Sequence, residues 1–156
     1  MLQAGQPAPA FALPDADLQI FEFRNLLGKH HLVLYFYPKD DTAGCTREAM
    51  EFSDLQEQFE SHGCSVVGVS PDDCFSHGDF RDKHGITVLL LSDMDRDVCR
   101  LYGVWREGEG EGGTRRGLLR STFVIDNKGM IRHALYNVSV RGHAAEVLEL
   151  VKRLDD

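Results

Sequence analysis

The chain has 156 residues, four cysteines and a formal net charge of −8 at neutral pH. That length suits one domain, residues 1–156, able to bury about two-thirds of the surface its unfolded chain exposes. An acidic balance without a basic stripe argues against a nucleic-acid partner, no apolar run is long enough to cross a bilayer, and residues 1–11 lack the basic-then-apolar order of a secretory signal, so the expected compartment is the cytoplasm.

In chain order, Phe11 to Leu13 and Leu18 to Phe23 read as a short hairpin turned at Pro14-Asp15, and Arg24 to Leu27 as one helical turn closed by Gly28. Leu32 to Tyr37 is an uninterrupted apolar run, the pattern of a buried strand, stopped by Pro38, which has no N–H for a sheet ladder. Lys39 to Gly44 is turn chemistry. A long helix is predicted over Thr46 to Ser61, with Met50, Phe52, Leu55 and Phe59 on its apolar side and His62-Gly63 as its end. Ser65 to Val69 reads as a second buried strand, Phe75 to His84 as a helix stopped by Gly85, Val88 to Leu91 as a short strand, and Asp95 to Tyr102 as a helix stopped by Gly103. Strands over Ser121 to Ile125 and Ile131 to Asn137 join through Asp126-Asn-Lys-Gly129, and a helix over Gly142 to Leu154 ends the chain. Alternating strands and helices make the fold class α/β.

Cys45 follows the first buried strand and its turn, in or just before the first turn of the next helix. Unpaired backbone N–H groups and the positive end of the helix dipole favour a thiolate there, the reactive form of cysteine. Cys45 is therefore the candidate nucleophile rather than an inert thiol. Thr42 by itself reads as a helix N-cap, Pro38 as a strand terminator and Arg120 as a strand-start residue. Cys45, Cys64, Cys74 and Cys99 include no C-x-x-C pair, which weakens both a structural zinc site and a thioredoxin-type dithiol. Cys64 and Cys99 are expected in the core. The pair His30-His31 reads as solvated at a strand entrance, and no histidine shows a metal-ligand spacing with carboxylates. Asp93, Asp95 and Asp97 read as a turn and an acidic helix start rather than a calcium loop. Glu107 to Gly117, rich in glycine, reads as a flexible loop leading to Arg120 and as the most mobile part of the chain interior.

Pro38, Thr42 and Cys45 form a Pro-x3-Thr-x2-Cys pattern with Glu48 three residues on, and this resembles the active-site signature of peroxiredoxins. Pro7-Ala-Pro-Ala-Phe11, Gly68-Val-Ser70, Leu91-Ser-Asp93, Arg120-Ser-Thr-Phe-Val-Ile-Asp126 and Gly142-His143 resemble one branch, the bacterioferritin comigratory protein or peroxiredoxin Q group. The likeness runs nearly end to end. It implies a thioredoxin-like fold, a central mixed sheet flanked by helices with an N-terminal hairpin. It also implies a thiol peroxidase that reduces hydrogen peroxide and organic hydroperoxides to water and alcohols through a sulfenic acid on Cys45, recycled by thioredoxin or another thiol reductant, with no cofactor and no metal. In that scheme Thr42 gives its hydroxyl to the peroxide and the sulfur, Arg120 supplies fixed charge beside both, Pro38 shields the cysteine and Glu48 holds Arg120. A thiol–disulfide oxidoreductase or a non-catalytic peroxide sensor on the same fold is the alternative.

The pattern breaks at the resolving cysteine. Many members of the branch carry it five residues after the first, here Met50, or in the next helix, at a place aligned with Arg81. Cys74 is the remaining resolving candidate, against a one-cysteine cycle using an external thiol. It would reach Cys45 only after the first turn of the Cys45 helix unwinds, because a disulfide needs Cα atoms within about 7 Å. The expected state is a monomer, with a dimer through the Cys45 face as the alternative.

Overall fold

The computed structural model describes residues 1–106 and 117–155. Its centre is a five-stranded sheet of order β5-β4-β3-β8-β9, built from β3 (His31–Phe36), β4 (Cys64–Ser70), β5 (Leu89–Ser92), β8 (Ser121–Ile125) and β9 (Ile131–Leu135). β3 is parallel to β4 and antiparallel to β8; β4 is parallel to β5, and β8 antiparallel to β9. Every residue of β3 is buried, because helices and the N-terminal hairpin cover both faces of the sheet. A parallel β3–β4 pair needs a crossover, and the helices α1 (Ala43–Asp54) and α2 (Gln56–Ser61) supply it.

Alternation along β3 sorts the core into two layers. Val33, Tyr35 and Tyr37 pack with Cys45, Ala49 and Phe52 of α1, Phe59 of α2, Phe80 of α3 (Cys74–His84) and Val147 and Val151 of α5 (His143–Lys152). Leu32, Leu34 and Phe36 pack with Leu13 of the hairpin β1 (Ala12–Pro14) and β2 (Ile20–Glu22), and with Val98 and Cys99 of α4 (Asp97–Leu101). The hairpin turn is held by the Asp15 carboxylate, whose Oδ1 accepts from the amides of Asp17 and Gln19, each at 2.9 Å. The predicted helical turn near Arg24 is a 3₁₀ turn over Phe23–Leu26.

Two sequence expectations fail in the α1 region. The single helix over Thr46 to Ser61 is two helices, starting three residues earlier and broken at Leu55. There the Leu55 amide is shared between the Glu51 and Phe52 carbonyls, a tightened turn. Met50 is not on the core face; it is 42% exposed. The buried stripe is Cys45, Glu48, Ala49 and Phe52, at i, i+3, i+4 and i+7, so a charged residue occupies a core position.

Sequence reading missed a short antiparallel pair, β6 (Trp105–Arg106) with β7 (Gly117–Leu118). Two-residue strands carry no periodicity to read. Gly117, expected in the loop, belongs to β7, and the mobility expected of the segment concerns residues 107–116, outside the described residues. Asp93 accepts from the Val98 and Cys99 amides at 3.3 and 2.8 Å, so the acidic run serves the start of α4. Among the described residues no helix is long and apolar enough to cross a membrane.

Candidate active site

The site forms where β3 ends and α1 begins. The Tyr37 amide makes the last ladder bond, to the Val69 carbonyl at 3.0 Å, and Pro38 then ends the strand. Pro38 itself is exposed. Thr42 occupies the N-cap position with extended backbone, but its side chain makes no cap bond; Oγ1 donates instead to the Lys39 carbonyl at 2.9 Å. The capping role that a threonine here suggests is thus absent, and the hydroxyl oxygen keeps its acceptor capacity. Cys45 lies in the first turn of α1 and is 1% exposed.

Arg120 arrives from the far end of the chain, just before β8. Its backbone is fixed by the Val138 amide, which donates to the Arg120 carbonyl at 3.0 Å. Its Nη2 donates to Cys45 Sγ at 3.1 Å and its Nη1 to Glu48 Oε1 at 2.6 Å. The guanidinium lies against the first turn of α1: a Cβ on Gly44 would meet Nη2 at 3.4 Å and Val140 Cγ2 at 3.8 Å. A planar, always-charged group that bonds a sulfur and a carboxylate at once stabilises the sulfur as an anion and fixes where it points.

Glu48 is almost fully buried, and its Oε2 has no hydrogen-bond partner among the described residues. Burial pushes its carboxyl from the usual range up to about 7, against the pull of the Arg120 charge and hydrogen bond. Burial pulls Arg120 down, but the charges of Glu48 and Cys45 outweigh it and hold the guanidinium above its ordinary value. Tyr35, beneath the site, has its phenol pushed well up by burial and then by Glu48 and Cys45, and its hydroxyl also lacks a partner among the described residues.

The other cysteines separate by exposure. Cys64 and Cys99 are core residues as expected; burial raises the Cys64 thiol to about 12, and burial followed by the hydrogen bond and charge of Asp93 raises that of Cys99. Cys74 is half-buried at the start of α3. It lines a groove with Leu13, Pro14, Met94 and Val98, and Leu13 and Val98 belong to the core layer opposite the one that holds Cys45. Arg81, at the aligned resolving place, is tied to Asp17 and Asp82 at 3.1 and 3.0 Å.

The histidines correct the sequence reading. His31 is buried, and its Nδ1 accepts from the Asn127 amide at 3.0 Å. His77 and His84 do meet carboxylates: His77 Nδ1 is 2.7 Å from Asp40 Oδ2 and His84 Nε2 is 2.7 Å from Asp41 Oδ1. Asp40, Asp72 and His77 bring ligand-type atoms within 4.8 Å, yet both His77 nitrogens are taken, Nδ1 by Asp40 and Nε2 by the Leu91 carbonyl. Nothing in the spacing signals this cluster, since its members come from two separate loops and a helix.

The sequence model of the AhpC/TSA family matches residues 4–134. A Bcp peroxiredoxin of Helicobacter pylori is 44% identical over 148 residues, 95% of this chain and 97% of that protein. The structure of Xanthomonas campestris peroxiredoxin Q superposes with a TM-score of 0.91 at 36% identity, covering 98% and 99% of the two chains. A Xanthomonas campestris bacterioferritin comigratory protein, studied for its alkyl peroxide reduction activity, matches with a TM-score of 0.89 at 36% identity over 96% and 97%. With a cysteine at a helix start, an arginine on its sulfur and a thioredoxin-like sheet beneath them, the chain belongs to the AhpC/TSA family as a peroxiredoxin of the bacterioferritin comigratory protein or peroxiredoxin Q branch, a thiol peroxidase.

Proposed function

We propose that Cys45 is the nucleophile with which this thiol peroxidase reduces hydrogen peroxide and alkyl hydroperoxides. The observation that carries the assignment is the 3.1 Å contact from Arg120 Nη2 to Cys45 Sγ, in a guanidinium fixed at its other edge by Glu48. The Cys45 thiolate attacks one peroxide oxygen, the O–O bond breaks, and the departing oxygen leaves as water or alcohol after taking a proton. Cys45 is left as a sulfenic acid. Thr42 receives the peroxide: its own hydrogen is committed to Lys39, so its oxygen accepts from the peroxide O–H, while the first-turn amides of α1 and the Arg120 guanidinium steady the charge that develops. Pro38 serves as the strand stop that opens the connection rather than as a contact to the sulfur.

A thiol reductant returns Cys45 to its starting state, and thioredoxin is the proposed source. Cys74 is the proposed resolving thiol, because of the four cysteines it alone is partly exposed; Cys45, Cys64 and Cys99 are buried. Its groove lies on the other core layer, so a Cys45–Cys74 bond requires the first turn of α1 to unwind. The protein acts as a cytoplasmic monomer, one domain over residues 1–156.

The deciding experiment is intact mass under non-reducing conditions after equimolar hydrogen peroxide, followed by peptide mapping. Loss of two hydrogens with a Cys45–Cys74 linkage supports the cycle in full. Gain of one oxygen on Cys45 keeps the nucleophile and removes the resolver. An untouched Cys45 refutes the assignment.

A further inference from the structure

The connection between β3 and α1 holds Thr42 and leads into Cys45, and it is tied to the rest of the molecule chiefly through Asp40. The Asp40 side chain is 3% exposed and its carboxylate is met on three sides: Tyr37 Oη donates to Oδ1 at 2.6 Å, Ser76 Oγ donates to Oδ2 at 2.8 Å, and His77 Nδ1 lies 2.7 Å from Oδ2. The Asp40 amide donates to Asp72 Oδ2 at 2.7 Å, and Ser70 Oγ donates to the same oxygen at 2.7 Å. A buried carboxylate this fully engaged has one orientation.

His77 extends the chain of contacts to the sheet. Its side chain is fully buried, and Nε2 lies 2.8 Å from the Leu91 carbonyl. A carbonyl can only accept, so Nε2 carries a hydrogen and the ring spans β5 and Asp40. The neighbouring Lys39 carbonyl accepts from Thr42 Oγ1, so whatever moves Asp40 also moves the group that orients the Thr42 hydroxyl. The run from Leu91 through His77, Asp40 and Lys39 to Thr42 links the central sheet to the place where the peroxide is received.

We propose that His77 is a positioning residue for peroxide reduction: through Asp40 it holds the β3–α1 connection so that Thr42 and the first amides of α1 face the peroxide in register with Cys45. This rests on the reading of Cys45 and Thr42 above. The contact is specific to α3: its first turns deliver both Ser76 and His77 to one carboxylate, and no other carboxylate of the connection is buried, since Asp41 is exposed and pairs with Lys83 and His84 near the end of the same helix.

The test compares two reactions of the same sulfur. Peroxide oxidation of Cys45 uses the positioned connection; alkylation by iodoacetamide, a neutral electrophile, does not. His77→Phe and Asp40→Asn are expected to slow oxidation by hydrogen peroxide by about 10- to 100-fold, the range for a small misplacement of reacting groups. Alkylation of Cys45 should stay close to that of the unaltered chain. Equal losses in both reactions, or an unchanged oxidation rate, overturn the proposal. If His77→Phe does not fold, Asp40→Asn decides alone, because it keeps the shape of the side chain and changes its capacity to accept. In the unaltered chain, failure of peroxide to oxidise Cys45 would instead mark the nucleophile assignment as wrong.

Discussion

Arg120 stands between Cys45 and Glu48, one edge of its guanidinium 3.1 Å from the sulfur and the other 2.6 Å from the buried carboxylate. One cation thus orients both the sulfur and a carboxylate that burial drives toward neutrality, so the place of the sulfur depends on that geometry.

Arg120→Met should lower the rate of peroxide reduction by about 10²- to 10³-fold, the cost of losing a preorganised donor. Arg120→Lys should recover little, because an ammonium is a point charge and cannot present one donor to Sγ and another to Oε1 along a plane. Stopped-flow oxidation at saturating peroxide and at low peroxide checks both. Activity of Arg120→Lys near that of the unaltered chain would show that charge alone suffices.

Glu48 makes stability depend on pH. Burial raises its carboxyl from the ordinary 4.5 to about 7 in the folded chain, so the folded state holds the proton more tightly. The stabilisation is complete below the ordinary value and is lost as pH rises through the folded one. The loss amounts to something on the order of 3 kcal/mol for a group this buried. Urea midpoints should therefore fall between about pH 5 and about pH 8, and Glu48→Gln should flatten that fall.

Gly68 on β4 faces the Tyr35 ring so closely that an added Cβ would lie 2.6 Å from Cζ and 2.7 Å from Oη. Tyr35 cannot retreat, because it stacks on Phe52 at 4.7 Å and on Tyr37 at 5.7 Å. Gly68→Ala should cost about 1–3 kcal/mol. Tyr35→Phe should stabilise the chain by about 1 kcal/mol, since it removes a buried hydroxyl without a partner among the described residues, and it should partly rescue Gly68→Ala. Thermal melts of the two single variants and the double variant read all three effects.

Brief treatment of the folded chain with iodoacetamide at mildly alkaline pH should label Cys74 and spare Cys64 and Cys99. Cys74 is half-buried, whereas burial raises the Cys64 thiol to about 12 and also raises that of Cys99. Peptide mapping before and after denaturation gives the answer, and early labelling of Cys64 would contradict its place in the core.

Much of this was readable in the chain. Leu32 to Tyr37, apolar without interruption, reads as a buried strand, and Pro38 as its end. A cysteine after the next turn had to meet the start of a helix. Phe52 and Phe59 lie in the core as their spacing predicts, but Met50 does not: a hydrophobic residue beside the buried stripe reads like part of it and is 42% exposed. The true stripe runs through Glu48, and a buried glutamate is invisible to any pattern that expects apolar residues. The break at Leu55 and the pairing of Trp105 with Leu118 went unread for a related reason: neither changes the local period of side chains.

The sequence by itself determined the alternation of strands and helices, the two-sided burial of β3 and the placement of Cys45 at a helix start. These depend on neighbours a few residues away, where periodicity and turn chemistry act. The family resemblance implied Arg120, 75 residues further on, beside the sulfur with Glu48 holding it; only the tertiary structure decided which guanidinium nitrogen meets each, that Glu48 is buried there, and that His77 reaches Asp40. The energy of a charge or a buried hydrogen bond depends on what surrounds it in space, and β8 beside β3 and α3 against the β3–α1 connection bring those surroundings together.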